Sequence, residues 1–99
     1  MKTKRLSGDD AIEKAQWIWE NGFIQRTGHF EVELKNAGAT MMFVEAVILG
    51  ECKVKRTEWN QAYCQWRYAI LGYDSEDCEL HIVVSINSNK SMLILITAF

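Results

Sequence analysis

The chain is 99 residues long with a net charge of −2, 11 Lys and Arg set against 13 Asp and Glu, which excludes a global basic field drawing it to nucleic acid or an anionic membrane. Its 48% hydrophobic content, with four Trp, four Phe and three Tyr, excludes a disordered chain and suits one domain, residues 1–99, that folds without disulfide staples. Cys52, Cys64 and Cys78 lack C-x-x-C pairing and fall at no ligand spacing with His29 and His81, which excludes a recognisable zinc motif.

No signal-peptide pattern and no apolar run of bilayer length is visible, so the cysteines are expected to be reduced thiols of a cytoplasmic protein with no cofactor and no membrane contact. Residues 1–7, MKTKRLS, are polar and basic and are expected to fray. Ser7 or Asp9 then caps a helix to about Asn21, on which Ala11, Ile12, Ala15, Ile18 and Trp19 form an apolar stripe. Gly22 suits the residue after the helix, with Phe23 folding back over its last turn.

A second helix opens after Thr27 or Gly28, with Phe30, Leu34 and Ala37 inward, Glu31 and Lys35 paired outside, and Gly38 as its stop. Thr40 heads a third segment, MMFVEAVILG, whose Met, Ala and Glu favour a helix, the one packed most deeply on a sheet. Residues 51–59 alternate loosely and predict an edge strand guarded by Lys53, Lys55 and Arg56.

The C-terminal third organises the chain. Runs rich in aromatic and β-branched residues at 66–73, 79–86 and 92–98, separated by DSEDC and NSNKS, predict an antiparallel meander. Alternation sets Trp66, Tyr68 and Ile70 against Arg67, Ala69 and Leu71, and Leu80, Ile82, Val84 and Ile86 against His81, Val83 and Ser85. In the last run Met92, Ile94 and Ile96 oppose Leu93, Leu95 and Thr97, and the register across NSNKS decides which set faces the helices. The expected fold is therefore α+β, with two to three N-terminal helices on one face of a four-stranded antiparallel sheet.

In this order, GFIQRTGHF, a helix ending at Gly38, ATMMFVEAVILG, WRYAILG, ELHIVVSI and ILITAF, the chain resembles a group of small bacterial domains of unknown function related to the RelE/ParE-like toxin superfamily. The resemblance implies helices on one side of a curved antiparallel sheet and an exposed face or groove on the other. Better-known relatives in that superfamily either cleave mRNA on the ribosome or poison gyrase, so the resemblance also implies activity of one of these kinds and an antitoxin-like partner that wraps the domain. The positions matching the group's pattern are His29, Arg67 and Thr97. The chain departs from RelE-like ribonucleases in its slightly acidic balance, since its densest basic run is Lys53, Lys55 and Arg56.

Arg67, placed between Trp66 and Tyr68, can clamp a phosphate or stabilise charge during phosphodiester cleavage; the plainer reading pairs it with Glu58 or Glu79 on a neighbouring strand. His29 can move protons, with Glu33 one turn later to orient it; the plainer reading is a histidine held by backbone near a helix start. His81 gains a role only if it lands near Arg67.

Lys53, Lys55 and Arg56 can hold a backbone while Trp59, Tyr63, Trp66 and Tyr68 offer aromatic surface for binding, against the alternative of a solvated edge above core aromatics. Two functions follow: a metal-independent, toxin-like endoribonuclease acting on RNA or the ribosome, or a non-catalytic interaction domain that buries ILGY and MLILITAF in a homodimer.

Overall fold

The computed structural model describes residues 4–99, which form α1 (Gly8–Asn21), β1 (Phe23–Arg26), α2 (Gly28–Asn36), α3 (Met41–Leu49), β2 (Cys52–Asn60), β3 (Gln65–Tyr73), β4 (Glu79–Asn87) and β5 (Met92–Ala98). A 3-10 turn, Ser88–Lys90, joins the last two strands. Residues 1–3 of the expected fraying segment lie outside the described residues. The rest of that segment is docked rather than frayed: Leu6 packs on the core and its N–H donates to Tyr68 Oη at 3.0 Å, while the Arg5 guanidinium carbon sits 5.9 Å from the Trp66 ring centroid.

Two of the three helices start at a side-chain cap. The Ser7 side chain accepts from the Asp10 N–H, and the Thr27 side chain accepts from the Phe30 N–H. Thr40 heads α3 without a side-chain cap bond. Gly38 ends α2 at φ +68, a left-handed conformation that glycine adopts without a Cβ penalty. The expected Glu31–Lys35 pair is replaced by a 2.8 Å bond between Arg26 Nε and Glu31 Oε1, because β1 brings Arg26 alongside the helix start.

The sheet has five strands in the order β1-β5-β4-β3-β2 and is mixed, not the expected four-stranded antiparallel sheet. The difference is β1. Instead of folding back over α1, Phe23 is 69% exposed, and the segment it begins runs parallel to β5 with Phe23 opposite Met92 and Arg26 opposite Leu95. The outer main-chain groups of β5 need partners, and four residues of extended backbone meet that need whatever their side chains.

The helices lie on one side of the sheet. Ala11, Ala15 and Ile18 of α1, Phe30 and Leu34 of α2, and Val44, Val47 and Ile48 of α3 join Tyr68, Ile70, Leu80, Ile82, Val84, Leu93, Leu95 and Ala98 in one core. Gly72 lets α3 approach, since a Cβ there would meet Val47 Cγ1 at 3.0 Å and Cys52 Cβ at 3.2 Å. α3 is not buried all round: Met42 is 76% exposed, and Ala37 at the end of α2 is exposed as well. No helix of the described residues is long and apolar enough to cross a membrane.

Candidate functional site

Two bulges determine what the uncovered face of the sheet displays. In β2 the register against β3 shifts between Val54 and Arg56, leaving Lys55 as the extra residue. In β5 Leu95 pairs with Val84 and Thr97 with Val83, leaving Ile96 as the extra residue. An inserted residue reverses the in-and-out alternation beyond it. Leu93 and Leu95 therefore enter the core, Thr97 crosses to the open face, and Ala98 returns to the core at 1% exposure. Of the two alternating sets expected for this strand, the one holding Leu93, Leu95 and Thr97 is split, Thr97 joining Ile96 at the open-face cavity.

The strand registers then align rows of side chains across the open face. One row reads Arg56–Ala69–Val83–Thr97, and the next reads Glu58–Arg67–Ser85–Ile94. A third holds Lys53, Leu71 and His81, with Phe99 exchanging both main-chain hydrogen bonds with His81. Successive rows are about 6.7 Å apart. Small side chains in the first row and tall ones around it leave a cavity of about 230 Å³. Its floor is Ala69, Val83, Ile96 and Thr97, and its rim is His29, Arg56, Glu58, Arg67 and Phe99.

His29 reaches this rim because Thr27 fastens the start of α2 at the β5 bulge. Beyond the end of β1, the Thr27 N–H donates to the Leu95 carbonyl at 3.2 Å and its hydroxyl donates to the same oxygen at 3.0 Å. His29, one residue into the helix, is solvent-exposed. The structure thus gathers His29, Arg56, Arg67 and Thr97 around one cavity.

Arg67 carries a side-chain nitrogen, Nε, that is buried and makes no hydrogen bond. Glu58 stands directly opposite it on β2 yet bonds Arg56 instead, Oε1 to Nε at 2.9 Å. The structural pairing of Arg67 with Glu58 or Glu79 is therefore not made; Glu79 lies opposite Tyr73 at the far end of β3. The Arg67 guanidinium carbon instead sits 5.8 Å from the ring centroid of Tyr63, which the β2–β3 turn brings over the open face. The exposed Arg56–Glu58 pair contributes at most about 1 kcal/mol, so an incoming anion can readily displace it.

Other candidates are placed elsewhere. His81 shares the open face but pairs with Leu71, about 13 Å along β3 from Arg67, and stacks on Phe99 with centroids 4.7 Å apart and planes 8° apart. Lys53 and Lys55 extend the basic edge without lining the cavity. Tyr68 is in the core on the opposite face from Arg67 and offers no surface for stacking. Trp59 meets Trp66 edge-to-face at 5.3 Å, both on the helix side by alternation. Sequence reasoning missed Phe99 and treated Glu58 only as a structural partner. The signal for both was strand register, which the two bulges conceal.

Among the described residues no three His, Cys, Asp or Glu side chains cluster closely enough to hold a metal ion. Fold and groove together define a small α+β domain with one bare sheet face and a cation-rimmed cavity on it. No protein-family model, no curated protein and no solved structure matches this chain.

Proposed function

We propose that the open face binds the phosphodiester backbone of RNA and that the domain is a toxin-like endoribonuclease of the RelE/ParE kind. The observation that carries this reading is the buried, unbonded Nε of Arg67 beside Arg56 and His29 on one cavity rim. A buried donor without an acceptor costs about 1–3 kcal/mol, and a phosphate oxygen is the acceptor a guanidinium fork fits best.

Arg67 and Arg56 hold the scissile phosphate and offset the charge that builds on its oxygens. His29 or Glu58 removes the proton from the ribose 2′-hydroxyl, whose oxygen attacks phosphorus, and the 5′-oxygen departs with a proton from the other group. The products are a 2′,3′-cyclic phosphate and a 5′-hydroxyl, and the chain's own side chains suffice for the proton transfers. An antitoxin-like partner would neutralise the domain by lying across the same groove.

The alternative is a non-catalytic homodimer, for which Tyr73 and Phe99 of the two apolar runs stand exposed. Ile70, Leu93, Leu95 and Ala98, from the runs expected to meet another copy, are buried in the chain's own core.

The test is to incubate purified protein with a labelled single-stranded RNA and with ribosomes carrying message. Cleavage that leaves cyclic phosphate ends, lost in Arg67→Ala and at least tenfold slower in His29→Ala, is expected. Intact RNA under both conditions refutes the reading.

A further inference from the structure

β3 and β4 part at one end of the sheet. Their ladder runs from Tyr73–Glu79 to Arg67–Ser85 and stops there, although β3 stays on β2 as far as Gln65 and β4 stays on β5 as far as Asn87. A cavity of about 380 Å³ occupies the fork, within the range of about 300–1,000 Å³ usual for small-ligand sites. Its walls come from both faces of the sheet, Leu6, Trp66, Tyr68 and Ile86 from the helix-covered side and Ser85 and Ile94 from the open side. It shares no lining residue with the cavity rimmed by Arg67.

Two hydroxyl-bearing residues are sunk in these walls. Ser85 and Tyr68 are each 2% exposed. Tyr68 Oη accepts the Leu6 N–H at 3.0 Å, and its own hydrogen meets no acceptor among the described residues. The Ser85 hydroxyl likewise makes no hydrogen bond among the described residues. A buried hydroxyl left without a partner is destabilising, and a ligand group in the fork would remove that penalty.

The outer part of the fork is held by its turns. Asn87 Oδ1 accepts the Lys90 N–H at 3.2 Å, which fixes the turn carrying Asn89 and leaves the Asn87 amide hydrogens to donate. Asn60 Oδ1 accepts the Tyr63 N–H at 2.9 Å in the β2–β3 turn, where Tyr63 stands 72% exposed.

The lining chemistry selects the ligand class. No Asp, Glu, Arg or His lines the fork among the described residues, and Lys4 is its one charged group. An ion entering it would lose its water without a buried counter-charge, so ions of either sign are disfavoured. Hydroxyls and amides both donate and accept, and they match a neutral ligand whose groups do the same. The hydroxyls of a sugar have that character, and its C–H face packs against an aromatic ring such as Tyr63.

We propose that the fork between β3 and β4 is a binding site for a neutral sugar, with Ser85 and Tyr68 bonding its hydroxyls inside the fork, Asn87 and Asn89 bonding those nearer solvent, and Tyr63 packing on its C–H face. The site goes beyond the RNA reading of the Arg67 cavity and does not rest on it.

The test titrates the full chain, without RNA, with glucose, galactose, mannose and N-acetylglucosamine, and separately with glycerol, uridine and inorganic phosphate, while backbone and side-chain amide resonances are followed. At least one sugar should shift Gln65, Asn87 and Asn89 saturably, with a dissociation constant of about 1 mM or below. Ser85→Ala should keep or raise the thermal midpoint, since no hydrogen bond is lost, and weaken that sugar about twofold to tenfold. Asn89→Ala, on an exposed turn, should weaken it by a similar factor.

No saturable shift at these residues with any sugar overturns the proposal. So does an equal response to glycerol, tighter binding of uridine or phosphate at the same residues, or sugar binding that both variants leave unchanged. A lower midpoint in Ser85→Ala with sugar affinity intact would make Ser85 structural and also overturn it. RNA cleavage is scored in its own assay, so each reading can fail while the other stands.

Discussion

Arg56 and Thr97 stand at opposite ends of one row across the open face, each one residue beyond a bulge, with Ala69 and Val83 between them. Lys55 and Ile96, the extra residues, turn the two outer members of that row away from the helices. The cavity forms on this row because both ends are polar and the middle is small. Bulges commonly sit beside functional sites for this reason: they re-aim a side chain without dismantling the sheet.

Parity in β5 is directly testable. Ala98→Asp places a carboxylate in the core and should unfold the domain or cost several kcal/mol, while Thr97→Asp should be tolerated. Denaturant melts of the two variants check this. Equal damage from both would show that Thr97 faces the helices.

Arg67 should be dispensable for folding. Replacing it with Met removes the unbonded Nε while keeping an apolar stem, so stability should hold or rise by up to about 1–3 kcal/mol. Urea unfolding measures it. A loss beyond about 1 kcal/mol would mean that the guanidinium supports the fold.

RNA affinity should fall with salt, and each phosphate contact on a single strand contributes a slope of about −0.7 in log K against log salt. Arg67→Ala should lower affinity and flatten the slope by about that amount. Lys53→Ala, outside the cavity, should change affinity less.

Burial pushes the Cys52 thiol up from its ordinary value. The unfolded chain therefore ionises this thiol first and binds fewer protons than the folded one, so stability is full below the ordinary thiol value and declines as pH rises above it. Denaturant midpoints of the parent and Cys52→Ala across this range should show the steeper decline in the parent. Thiol labelling at neutral pH should reach the exposed Cys64 and Cys78 before Cys52.

Gly72→Val should cost about 1–3 kcal/mol, because its Cβ would crowd Val47 and Cys52 where α3 meets the sheet. A thermal melt checks it. An unchanged midpoint would mean that α3 can shift outward without loss.

Much of the layer structure was legible in the residues. Ser7, Thr27 and Gly38 mark helix ends through local capping chemistry, Thr40 marks one by position alone, and the C-terminal runs alternate clearly enough to give the edge strand and the meander. Features set by main-chain pairing were not legible. Phe23–Arg26 has no apolar alternation, because β1 is held by β5 rather than by a buried side. The bulges at Lys55 and Ile96 leave no mark in composition, yet they decide that Arg56 and Thr97 line one cavity with Arg67. His29 was legible as a helix-start histidine, and its arrival at the rim depends on Thr27 and Leu95, 68 positions apart.

The parallel strand β1 also governs how copies of this chain behave in a crowded solution. It seals the rim of the sheet along Met92–Leu95, while the kink at Lys55 interrupts the opposite rim within a lysine-rich stretch. A second molecule finds no long straight ladder on which to zip, so concentrated protein should resist growth into cross-β fibrils. Removing the kinked lysine would straighten that rim and open the route to fibril seeding.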